Sequence, residues 1–88
     1  SLEYAGIRLE FATKAKSITL RIANIDESIY HGVVRRKIVT YRNGVFLNET
    51  RIPKNKDANI TVKLANDNQL SEYSIYLPFM MYFDLLEL

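Results

Sequence analysis

Apolar and polar residues alternate with a period of two along most of this chain. Ile7, Leu9 and Phe11 are separated by Arg8 and Glu10. Ile18, Leu20 and Ile22 are separated by Thr19 and Arg21, and Ile60, Val62 and Leu64 by Thr61 and Lys63. Tyr73, Ile75 and Leu77 alternate with Ser74 and Tyr76. Successive side chains of a strand point to opposite faces, so each run turns one apolar face to a core and a more polar face to water. The residues are largely β-branched or aromatic, as strands favour. No run keeps a helical period long enough for an α/β layer.

Turn chemistry separates the runs. Asn43-Gly44 is the strongest hairpin signal, because a two-residue type I′ turn needs positive φ at both central positions. Residues 13–16 make a short link, residues 52–57 a polar loop, and Asn66-Asp67-Asn68 a loop suited to Asx turns. Residues 24–34 carry Asp26, Glu27, Tyr30, His31 and Gly32 and read as an irregular loop or a short helical turn. Strands are expected over about residues 5–12, 17–25, 35–42, 45–51, 59–65, 72–78 and 82–88. An open sheet of that many strands leaves two vulnerable edges. The expectation is therefore an all-β, antiparallel β-sandwich of jelly-roll-like topology, one domain over residues 1–88.

Composition narrows the function. The chain has 88 residues, 48% of them apolar, with six Tyr and four Phe, which suits a folded core. It has no cysteine, so no disulfide and no thiolate chemistry is available. Twelve basic residues against ten acidic ones give a net charge of +2, too small to argue for nucleic acid. No run approaches the roughly 18 apolar residues of a membrane helix. Arg35-Arg36-Lys37, Lys54-Asn55-Lys56 and Asp26-Glu27 read as solvated turns or strand edges.

Candidate chemistry is sparse. Nucleophilic catalysis needs a nucleophile, a base and an orienting acid, and the single histidine, His31, has no serine in a Gly-x-Ser-x-Gly or Gly-Asp-Ser setting to act on. Zinc needs several His or Cys ligands. Calcium needs clustered oxygens, which Asn66-Asp67-Asn68 and the Asp57/Asn59 pair supply without a recognised spacing. Asp26 and Glu27 are adjacent, and neighbours on a strand point apart, unlike the facing carboxylates of a glycosidase. Only three glycines occur, none in a phosphate-cradling loop. The expectation is a non-catalytic chain without metal or cofactor. Aromatic rings are the best candidates for a ligand. Tyr76 falls on the face opposite Tyr73, Ile75 and Leu77, and Tyr41 falls opposite Ile38 and Thr40, so either ring can stack on a sugar. Asn48-Glu49-Thr50 and Asn59-Ile60-Thr61 match the glycosylation acceptor pattern. Finally, Phe79, Met80, Met81, Tyr82 and Phe83 are consecutive large apolar residues, more than one strand face hides. Either both faces of this run are covered, or part of it packs on something not present in this chain.

Both ends of the chain and one hairpin carry a resemblance. Gly6-Ile7-Arg8-Leu9-Glu10-Phe11-Ala12-Thr13 followed by Ser17-Ile18-Thr19-Leu20 resembles the opening of the β-sandwich domain that precedes the catalytic domain in bacterial SGNH/GDSL-type esterases. Ile75-Tyr76-Leu77-Pro78-Phe79 and Leu86-Glu87-Leu88 are similar to the closing strands of the same family. Tyr41-Arg42-Asn43-Gly44 resembles its central hairpin, although Lys37, Val39 and Thr40 stand where that motif has Gly, Asp and Leu, so no functional residue carries over. The resemblance implies the accessory module of a secreted, periplasmic or cell-surface esterase acting on acylated carbohydrate. It would pack against a downstream catalytic domain, with Phe79, Met80, Met81 and Tyr82 as the candidate inter-domain surface, and help position substrate. A free-standing carbohydrate-binding module and a self-associating structural or adhesion domain are the alternatives.

Overall fold

The computed structural model describes residues 6–24, 36–53, 57–78 and 81–87, the last of these through the backbone. They form β1 (Gly6–Thr13), β2 (Ser17–Asn24), β3 (Lys37–Arg42), β4 (Val45–Arg51), β5 (Ala58–Lys63), β6 (Ser71–Pro78) and β7 (Met81–Glu87). The expected irregular segment, with Asp26, Glu27 and His31, lies outside the described residues apart from Asn24, which ends β2.

The strands make two antiparallel sheets, β1-β6-β3-β4 and β5-β2-β7. Apart from the β3–β4 hairpin, each connection between consecutive strands passes from one sheet to the other. The architecture is the expected jelly-roll-like β-sandwich. Period-two patterning accounts for it directly. Ile18, Leu20 and Ile22 of β2 and Ile60 and Val62 of β5 are buried from one sheet. Ile38 of β3 and Tyr73, Ile75 and Leu77 of β6 are buried from the other. Leu9, Phe11, Leu47 and Ala58 pack around this core at its margin. Ile7, near the start of the edge strand β1, keeps the core-facing parity of Leu9 and Phe11 and is nevertheless 43% exposed. A four-stranded sheet over a three-stranded one leaves a marginal strand less covered.

Side chains tie the two layers together. Tyr73 stacks on Phe11 at a centroid distance of 5.8 Å, and its hydroxyl accepts the Ala65 N–H at 3.1 Å, just beyond β5. Asn48 of β4 donates its amide to the Lys63 carbonyl of β5 at 2.8 Å. A buried Tyr ring thus contributes area while its polar tip stays satisfied.

Three details differ from the sequence reading. Strand ends shift by one or two residues, and β5 stops at Lys63 rather than running to residue 65. Leu64 nonetheless stays buried, because its N–H donates to the Lys16 carbonyl at 2.8 Å and holds it over the core. Ile52, read as part of a polar loop, is also buried. Its N–H donates to the Arg36 carbonyl at 2.8 Å, extending the β3–β4 ladder one step past the strand ends.

Candidate functional site

The outward face of the four-stranded sheet is built by register. Across one row, Arg8 of β1 lies beside Tyr76 of β6, Tyr76 beside Val39 of β3, and Val39 beside Glu49 of β4. In the next row Glu10, Ser74, Tyr41 and Phe46 follow in the same order. Tyr41 and Tyr76, the two rings singled out from the sequence, therefore share one face and touch. Their centroids lie 5.6 Å apart with planes at 78°, an edge-to-face contact. Such contacts follow from the ring quadrupole and fix both rings.

Phe46 completes the cluster, with its ring 6.0 Å from Tyr41 at 83°. It is 54% exposed, whereas Tyr41 and Tyr76 are half-buried. Sequence reasoning did not single out Phe46, because strict alternation along β4 would put it on the same face as Asn48 and Thr50, toward the core. The β3–β4 register shifts between Thr40 and Tyr41, so Thr40 pairs with Asn48 while Tyr41 pairs with Phe46. This bulge turns Phe46 outward and lets Leu47 pack on the core. A large aromatic immediately after the Asn43-Gly44 turn was the available signal.

Four of the charges on this face are paired. Arg8 Nε lies 3.2 Å from Glu10 Oε1, and Lys37 Nζ lies 3.4 Å from Glu49 Oε2. Arg8 also donates to the Tyr76 hydroxyl. That hydrogen bond first, and Glu10 second, hold the guanidinium pKa above its ordinary value. Beside the rings, Glu10, Phe11, Ala12, Glu72, Tyr73 and Ser74 line an open hollow of about 350 Å³. Aromatic faces, fixed charges and a hydroxyl-bearing hollow are the elements that hold sugars, whose C–H faces meet π systems and whose hydroxyls bond at the rim.

The other sequence candidates fall elsewhere. Asp67, offered as a calcium ligand, is ion-paired with Arg42 and also accepts the Gln69 N–H at 3.1 Å. The Arg42 hydrogen bond is the main cause that lowers its pKa below the ordinary 3.8. Among the described residues no group of three or more His, Asp or Glu could hold a metal. Asn48 of the first sequon is engaged by Lys63, whereas Asn59 and Thr61 of the second are exposed on β5. Phe79 and Met80 lie outside the described residues, and Met81 and Tyr82 open β7. No helix among the described residues is long and apolar enough to cross a membrane.

No protein-family model matches the chain, and no curated protein and no solved structure matches it.

Proposed function

We propose that this chain is a non-catalytic carbohydrate-binding module. Its ligand lies on the outward face of the β1-β6-β3-β4 sheet, over Phe46, Tyr41 and Tyr76. In line with the sequence resemblance, it serves as the accessory domain of a secreted SGNH-type esterase, holding an acylated polysaccharide near a catalytic domain. Phe79, Met80, Met81 and Tyr82 are proposed to meet that domain. The observation that carries the binding reading is the aromatic cluster across two adjacent rows, made by two strand registers and a bulge and flanked by paired charges. A solvated sheet face has no need of a half-exposed Phe packed on a Tyr ring that itself packs on a second Tyr.

The test is a titration of the chain with xylo-, manno- and cello-oligosaccharides, followed by calorimetry and amide chemical shifts. Saturable binding with shifts centred on Tyr41, Phe46, Ser74 and Tyr76 is expected. Phe46→Ala and Tyr76→Ala should each weaken it by about tenfold, given ~1–2 kcal/mol per stacked ring, while thermal unfolding shows both variants folded. Flat titrations across the panel would remove the reading.

A further inference from the structure

Resting on that reading, we infer that the ligand of this face is an uncharged polyhydroxyl sugar chain rather than an acidic or an amino-sugar one. The outward positions carry three cations, Arg8, Lys37 and Arg51, and three carboxylates, Glu10, Glu49 and Glu72. Two of the cations are already engaged by two of the carboxylates, at 3.2 and 3.4 Å. The rings therefore sit in a face whose fixed charges cancel locally.

The hollow beside the rings decides the sign of what is excluded. It is lined by Glu10, Glu72 and Ser74 and by no cation. Glu10 is balanced by Arg8, and among the described residues Glu72 has no ion-pair partner. A uronate, sulfate or phosphate group placed there would find no counter-charge in the lining, only carboxylates. Neutral hydroxyls meet the opposite situation. The carboxylates of Glu10 and Glu72 accept from them, and Ser74 both donates and accepts. The donors and acceptors are already ordered. Arg8 is held by Glu10 and Tyr76, and the Glu72 backbone is clamped by Asn43 through bonds of 2.7 and 2.9 Å.

An amino sugar would find one unbalanced carboxylate, the exposed Glu72, one row beyond Ser74 and Tyr41. A single exposed charge there is screened by salt and adds little. A ligand seated on the rings is therefore selected by stacking and hydroxyl contacts, with weak dependence on ionic strength.

The experiment compares three hexasaccharide classes on the intact chain at low and high salt: neutral cello- and xylo-oligomers, oligogalacturonate, and deacetylated chito-oligomers. The neutral oligomers should bind tightest, with affinity changing less than about twofold with salt. Glu72→Lys should raise the ratio of oligogalacturonate to neutral affinity by about threefold at low salt. Preferential binding of wild-type protein to oligogalacturonate or to the chito-oligomers overturns the inference and leaves saccharide binding standing. Binding of none of the three, with unfolding curves showing intact protein, overturns both.

Discussion

Thr40 and Asp67 show how single residues carry opposite costs in this fold. Thr40 sits in the core between Ile75 and Asn48, fully buried, and its hydroxyl has no hydrogen-bond partner. A buried, unsatisfied hydroxyl is a liability, and β-branched Val keeps its shape. Thr40→Val is expected to raise unfolding stability by about 1 kcal/mol in urea titrations. Asp67 acts through charge. Arg42 and the Gln69 N–H stabilise its carboxylate, so its pKa in the folded state lies below the 3.8 of an unfolded chain. The sign follows from linkage: its contribution is present above the ordinary Asp range and is lost as pH falls through the lowered value. Between neutral pH and pH about 3, wild-type protein should lose more stability than Asp67→Asn, as read from denaturant midpoints at both pH values.

The β3–β4 hairpin is the element on which the site depends. Asn43 at φ 48° and Gly44 at φ 80° form the turn, both in the left-handed region that a type I′ connection demands. A Cβ at Gly44 would meet nothing within 4 Å, so the cost of Gly44→Ala is conformational, about 1 kcal/mol. Asn43 does more. It donates its N–H to the Glu72 carbonyl and accepts the Glu72 N–H on its side chain, continuing the β3–β6 pairing into the turn. Arg42 reinforces the same corner by donating to the Ser71 hydroxyl at 2.9 Å. Asn43→Ala loses both the favourable φ and the acceptor, and is expected to cost about 2 kcal/mol. Hydrogen exchange should then rise at Glu72 and along β4 before it rises in β2.

For the molecule as a whole, stability rests on two faces meeting rather than on any one strand. Leu20, at the centre of the three-stranded sheet, is fully buried, and Leu20→Ala should cost about 3 kcal/mol by removing buried methyl groups and leaving a cavity. Ile7 has the same parity in its own strand but lies at the margin, so Ile7→Ala should cost under about 1 kcal/mol. Paired thermal and chemical denaturation of the two variants checks the contrast. Equal losses would mean that β1 is covered as fully as β2.

Parity explains what was legible without coordinates. The alternation in residues 7–11, 18–22, 60–64 and 73–77 fixes which side chains face inward, and Asn43-Gly44 fixes a turn, because both effects act between residues close in the chain. The all-β sandwich and the outward parity of Tyr41 and Tyr76 followed from those local rules. Only the tertiary structure placed Tyr41 beside Tyr76, residues on strands distant in sequence whose pairing depends on the β3–β6 register. It alone brought Phe46 to the same face, since a bulge moves one residue across the sheet without leaving a mark in the period-two pattern. It also buried Ile52 through a backbone hydrogen bond to Arg36, a partner that no local pattern names. Local sequence sets the direction of each side chain; which side chains meet is a property of the whole sheet.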